Sequence, residues 1–250
     1  MIVIIGLIVA GVTAGQSLVK QAKLRSLVTD IDKYRVATNS FLLQYNGLPG
    51  DLRNATDYWP GVTNNANGNG NKRVASLPGG GVSFEPASYW HHLTLAGLIK
   101  LDLPSLGTGI NGEGAVPGEN IPIAYKSDAG ISFMYPRAPE DGTGSRGNVN
   151  YFHFSKLGQH FFLFGKVYSP AAGRMNISPA ITVKEALSID GKFDDGLPNT
   201  GSIGNVVSNH DGMIISACRT GALTVAAQSA SNEYNLANTD DEGCAMVFAQ

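Results

Sequence analysis

The chain has 250 residues, a formal net charge of -2 and a pI of about 6.2, a balance without the basic excess that a nucleic-acid surface requires. Charged residues make up 15% of it, low against roughly 25% in a typical globular chain. The 31 glycines gather in runs such as "NNANGNGN" and "LPGGG", which read as mobile surface turns without chemistry.

The first predicted element is a long helix over residues 1–45. It opens with "MIVIIGLIVAGVTAGQSLV", which carries no charge before Lys20. Ile2, Val3, Ile4, Ile5, Leu7, Ile8, Val9 and Val12 form its apolar surface. A signal peptide would need a basic segment ahead of the apolar run, and none precedes it here. A simple membrane span is short: Met1 to Ala14 rises about 21 Å and Met1 to Val19 about 28 Å, against a hydrocarbon core of roughly 30 Å. The third reading, an apolar half-helix that continues into an amphipathic half, fits the residues beyond Lys20. Leu24, Leu27, Val28, Ile31, Tyr34, Thr38, Phe41, Leu42 and Tyr45 recur by threes and fours and make one stripe. Asn46-Gly47 supplies the stop, with Pro49 just beyond. A helix of this length, about 68 Å, cannot lie wholly on a domain built from the remaining residues. Its first half must find another partner.

Residues 46–250 then read as one globular domain, long enough for a sizeable core. A turn-rich connector precedes a helix in "EPASYWHHLTLAGLIK", with Pro86 in its first turn. Strands are predicted in "IPIAYK", "ISFMYP", "NVNYFHF" and "HFFLFGKVY" from alternation and aromatic content. A second helix is predicted in "SPAITVKEALSIDGKF", capped by Ser178, entered through Pro179 and stopped at Gly191. "GMIISAC", "ALTVAAQ" and "CAMVFA" return to strands. The fold class is α+β: a long N-terminal helix, then a domain with short helices on an antiparallel sheet.

No HExxH, CxxC, GxSxG or Walker loop occurs, and His91, His92, His153 and His160 are scattered singly or on a helix face. An enzyme is not expected, and no cofactor is implied beyond calcium. Asp190, Asp194 and Asp195 in "SIDGKFDDG" could gather oxygen ligands for Ca²⁺, although the spacing is not that of an EF-hand; the other reading is a solvated turn after a helix. "NTDDEG", with Asp240, Asp241 and Glu242, is a second such stretch. The two cysteines, Cys218 and Cys244, fall in the last part of the chain. An export-like N-terminus favours a disulfide between them over two buried thiols.

The opening "MIVIIGLIVAGV", the connector "YNGLPGDLRNATDYW", the helix "YWHHLTLAGLI" and the segment "ALSIDGKFDDGLPNTGSI" together resemble type IV pilins and the pseudopilins of type II secretion, in a branch of large bacterial pilin-like proteins. The family's mature chains begin with a small residue followed by Phe-Thr-Leu-Ile-Glu. That segment is absent, Met1 would lie a few residues inside it, and the docking role of the family's Glu falls on no residue of this sequence. The resemblance implies a structural subunit whose N-terminal helices bundle in the core of an extracellular filament. It implies a homopolymer of identical subunits, the inner-membrane assembly machinery as partner and residence in the inner membrane before assembly. It also implies a basic leader, which would reverse the topology that Lys20, Lys23 and Arg25 alone would give, with the domain in the cytoplasm. A pseudopilin in a periplasmic pseudopilus, or an anchored periplasmic binding domain that never polymerises, are the alternatives. Gly6, Gly11, Gly15 and Thr13 weaken the first half-helix, so Gly11 to Gly15 is where helical hydrogen bonding is expected to be lost in a crowded filament core if it is lost anywhere before Tyr45; the other reading is a straight helix whose small residues allow close helix packing.

Overall fold

The structure is a computed structural model of the whole chain, and it describes residues 2–62, 67–74, 85–103, 115–135, 159–167, 178–206, 209–210, 213–214, 218–220, 233–238 and 242–250. Helix α1 runs unbroken from Ile2 to Tyr45, 44 residues or about 66 Å. It ends where Asn46 takes a left-handed conformation at φ 50°, the state that Asn tolerates better than most residues.

Continuity through Gly11 and Gly15 corrects the expectation that helical bonding fails there. The physical reason lies in the magnitudes. Each glycine costs about 1 kcal/mol relative to alanine, whereas opening the ladder mid-helix forfeits several hydrogen bonds together. Apart from the helix's own neighbouring backbone, no described residue comes within 4 Å of the place a Cβ would occupy at Gly6, Gly11 or Gly15.

The second half of α1 packs into the domain. Leu24, Leu27, Val28, Ile31, Ala37, Thr38 and Phe41 are buried and Tyr34 and Tyr45 are partly so. Leu42 departs from the expected stripe: it is 42% exposed and lies beside Leu43, which is 88% exposed. At this end the domain covers a narrower arc of the helix, through Phe41 and Tyr45 against Trp59, and position 42 falls outside it.

The connector forms a one-turn helix α2 at Ala55–Tyr58, which the sequence pattern does not suggest. Helix α3, Glu85–Leu95, lies between α1 and the sheet. Tyr89 stacks on Phe133 at 4.1 Å and shares a 2.5 Å hydroxyl hydrogen bond with Thr38, while Trp90 meets Tyr34 edge-on at 4.8 Å. The "NGNGN" run is no free turn where it is described. The Asp51 carboxylate accepts from the backbone N–H groups of Gly70, Asn71 and Lys72, and Glu85 accepts from Asn69, so this stretch is strapped to the domain.

Among the described residues the main sheet has five strands in the order β1 (Ile123–Ala124), β2 (Lys126–Met134), β3 (Phe161–Lys166), β7 (Met246–Ala249), β4 (Ile203–Asn205). Every pairing in it is antiparallel. Phe133 pairs Phe162 and Phe162 pairs Phe248, so an aromatic row crosses the face that meets the helices. Leu163, Val247 and Met134 fill a separate cluster with Val206 and Ala245, as period-two alternation requires of the opposite face. The predicted strand "ISFMYP" belongs to a longer β2 that already begins at Lys126. A two-stranded ribbon pairs β5 (Asn209–His210) with β6 (Met213–Ile214). The predicted strands in "NVNYFHF" and "ALTVAAQ" lie outside the described residues. The α+β class therefore holds.

Helix α4 spans Val183–Phe193, not the segment from Ser178 to Gly191. Its cap is Thr182, whose hydroxyl accepts from the Glu185 N–H at 3.2 Å while Glu185 accepts from the Thr182 N–H at 2.8 Å, a reciprocal capping box. Ser178 cannot cap because its backbone exchanges two hydrogen bonds with Lys166 in an isolated bridge. Gly191 sits inside the helix, which continues to Phe193.

Candidate functional site

Two features stand apart from ordinary packing: the projecting first half of α1 and the carboxylate cluster after α4. In the first, Val3, Ile4, Ile5, Leu7, Ile8, Val9, Val12, Leu18 and Val19 are all more than half exposed, from 52% at Val12 to 74% at Val3. The side chain of Ile2 lies outside the described ones. Helix α1 is long and apolar enough to cross a membrane, and its most apolar window is 0% buried in the protein. Such a helix is compatible with membrane anchoring or with a signal sequence. Covering these side chains is worth about 1.5–3 kcal/mol for each one fully buried, on the order of 10 kcal/mol in total. Isolated large exposed residues are common on proteins, but a continuous apolar surface of this extent marks an interaction.

Where the helix leaves the domain, Lys20 Nζ reaches Glu185 Oε1 at 3.0 Å. Glu185 also accepts from the Tyr125 hydroxyl at 2.6 Å and closes the capping box of α4. Burial works against the charged carboxylate, and the hydrogen bonds from Tyr125, Thr182 and Lys20 outweigh it, holding its pKa below the usual range. One carboxylate thus joins α1, the β1–β2 turn and α4. Further along α1, the Arg35 guanidinium donates to the Ala249 carbonyl at the end of β7 and pairs with Asp32. No local sequence pattern marks the Lys20–Glu185 pair; the T-x-x-E capping box is the readable part of it.

In the second feature, Asp190, Asp194 and Asp195 each offer one oxygen, and these lie within 4.8 Å of one another. Asp190 is fully buried and accepts from the Tyr234 hydroxyl at 2.7 Å and the Gly196 N–H at 3.1 Å. Burial, with Asp195 and Asp194 adding repulsion, pushes its pKa up to about 6 although both donors pull it down. Asp194 accepts from the N–H groups of Ser202 and Ile203, and Asp195 from the Leu197 N–H and the Thr200 hydroxyl. Much of the oxygen inventory is therefore already engaged. A calcium ion takes six to eight oxygens, so these three residues would supply only part of a shell. Of the second acidic stretch, Asp240 and Asp241 lie outside the described residues and Glu242 pairs with Lys126 and Lys166.

Cys218 and Cys244 form a disulfide with sulfurs 1.97 Å apart across 26 positions of sequence. The bond joins the Arg219–Tyr234 bridge to residues that lead into β7, and Tyr234 carries the connection on to Asp190. The histidines are spread through the domain. His92 Nδ1 accepts from the Gly50 N–H at 2.8 Å, and His160 stacks on Phe133 at 5.1 Å and accepts from the Val74 N–H. His91 is partly buried on α3, and His153 lies outside the described residues. Comparison of the chain with protein-family models, with characterised proteins and with solved structures finds no significant match to any of them.

Proposed function

We propose that the chain is a structural subunit of an extracellular filament of the type IV pilin kind, held in the inner membrane by residues 1–45 before it assembles with identical copies. The observation that carries this reading is the division of one unbroken helix into a half packed on its own domain and a half with no cover among the described residues. An uncharged surface of this kind can be served by lipid first and by neighbouring copies afterwards, and both environments repay the same apolar area. Repetition of one non-closing contact would then extend a helical array. The resemblance of "MIVIIGLIVAGV" and the downstream segments to pilins supports the same reading.

The test is negative-stain microscopy of material sheared from the cell surface, with mass spectrometry of its main protein. Filaments built of this chain are the expected result. Recovery of the chain only from detergent-solubilised membrane would overturn polymerisation. A calcium ion at Asp190, Asp194 and Asp195 is an accessory part of the proposal, as a brace for the domain. A melting temperature that rises with added calcium, and no longer does so in Asp195→Asn, would support it.

A further inference from the structure

The end of the domain where α1 emerges holds an unusual set of side chains. The β1–β2 turn lies beside the helix there, and Lys23, Ile123, Tyr125, Lys126, Ser127 and Asp128 line one shallow groove. Ile123 is 53% exposed. Tyr125 stands at φ 65°, a conformation that a bulky residue rarely adopts, and its hydroxyl is held by Glu185. Strain of this kind is kept where a segment must present itself in one way.

Lys20, Lys126 and Lys166 at this end are paired with Glu185, Asp128 and Glu242. Lys23 and Arg25 make no ion pair among the described residues, and both are exposed. Two exposed, unpaired cations just past an apolar span invite a local use.

Helix geometry supplies one. Val3 to Val19 rises about 25 Å, close to the hydrocarbon thickness, and Lys23 lies about 6 Å past Val19. The headgroup layer is roughly 5–8 Å deep on each side, so Lys23 and the turn beside it would lie within it, with Arg25, about 9 Å past Val19 and across the helix, at its outer edge. We propose that the β1–β2 turn, with Lys23 and Arg25, forms a seat for anionic phospholipid headgroups that holds the domain down on the bilayer while the subunit is anchored. The proposal rests on the reading that residues 3–19 occupy a membrane. Ile123 and Tyr125 have the apolar and amphipathic character that suits the interface, and the two cations complement lipid phosphate.

The experiment uses the full chain in phosphatidylcholine vesicles, with or without about one part in three of phosphatidylglycerol. Because the native cysteines are bonded to each other, a fluorophore can be placed selectively on Ser127→Cys, or on Asp57→Cys in α2 near the other end of α1. Quenching by headgroup-labelled lipid is the readout. Expected is strong quenching at position 127 only in the anionic vesicles, little at 57, and a decline as salt is raised. Lys23→Glu and Arg25→Glu should each weaken the contact about fivefold or more, since each cation near an anionic surface is worth that factor. Both changes lie on exposed positions, and an unchanged disulfide and circular dichroism spectrum establish that the variants fold. Equal quenching in both lipids, or none at position 127 in chains that resist carbonate extraction, would overturn the seat while leaving the anchor. Energy transfer between labels on two copies that replaces headgroup quenching would overturn it in favour of a protein contact. A chain that carbonate washes off would overturn the anchor and the seat with it.

Discussion

The two halves of α1 share one backbone and one apolar character, yet they have opposite fates. From Leu24 onward the apolar residues recur by threes and fours, and Leu27, Ile31 and Phe41 are 1%, 0% and 0% exposed. From Val3 to Val19 they surround the helix, so no single domain face could cover them, and they stay exposed. The boundary is chemical. Lys20 is the first charge, and it is the residue that reaches Glu185. The comparison teaches that the angular distribution of apolar residues, more than their number, decides whether a helix packs on its own chain or on something else.

The strongest way to break the comparison is to place one carboxylate in each half. Ile31→Asp would bury an unpaired charge where exposure is now 0%, at a cost of several kcal/mol that few domains of this size withstand. The domain should fail to give a cooperative thermal transition. Ile8→Asp, at a position 60% exposed, should leave that transition unchanged and weaken retention in vesicles. Equal effects of the two changes on domain melting would show that the halves are not distinct.

The next test concerns the domain alone. Opening the Cys218–Cys244 bond, which spans 26 positions, should cost about 3.5 kcal/mol on the chain-entropy account. A Cys218→Ser, Cys244→Ser variant should melt at a clearly lower temperature. Its membrane retention should match the parent, because the bond touches nothing in the projecting half.

Much of this division is legible in the sequence, for identifiable reasons. The stripe from Leu24 to Tyr45 and the absence of charge before Lys20 are local patterns, and a long helix repeats its signal many times. Periodicity places Leu42 on the stripe wrongly, because it gives the direction of a side chain but not the extent of the domain that covers it. The start of α4 is ambiguous in the sequence because Ser178-Pro179 and Thr182-x-x-Glu185 are both valid start signals. Only the pairing of Ser178 with Lys166 decides between them. The Lys20–Glu185 contact and the support that Asp51 gives to the "NGNGN" loop are invisible at that level, since each joins residues distant in sequence through tertiary geometry.

A third test uses pH, which should affect the packed half and not the projecting one, since Val3 to Val19 contains no ionisable side chain. Burial raises Asp190 from 3.8 to about 6, so the folded protein holds a proton that the unfolded chain has released. The stability from this group is full below its unfolded pKa and is lost as pH rises through about 6, by at most about 3 kcal/mol. His160 has the opposite sign. Burial lowers it from 6.5 to about 4, so its contribution is full above the unfolded pKa and is lost as pH falls through about 4. The two contributions oppose each other across the same window. Asp190→Asn should therefore leave a domain whose stability rises from pH 4 to 6.5, and His160→Phe one whose stability falls as pH rises from 4 to 6. Parallel melting profiles for the two variants would contradict this assignment.

The smallest effect is expected at the glycines, and its sign separates two roles. Beyond the helix's own backbone, no described residue comes within 4 Å of a Cβ built at Gly11 or Gly15, so alanine meets no clash there. Each Gly→Ala change should stabilise the projecting helix by about 0.5–1 kcal/mol and leave domain melting unaltered. Helicity of the full chain in detergent, followed by circular dichroism on heating, should show a higher midpoint for the first half. If Gly11 and Gly15 serve close approach of helices in an assembly, the same variants should assemble less well, because a methyl group keeps the backbones apart. Greater helicity with weaker assembly would identify the glycines as contact positions. Greater helicity with unchanged assembly would mean that the projecting half meets its neighbours through its larger side chains, with Gly11 and Gly15 turned away from them.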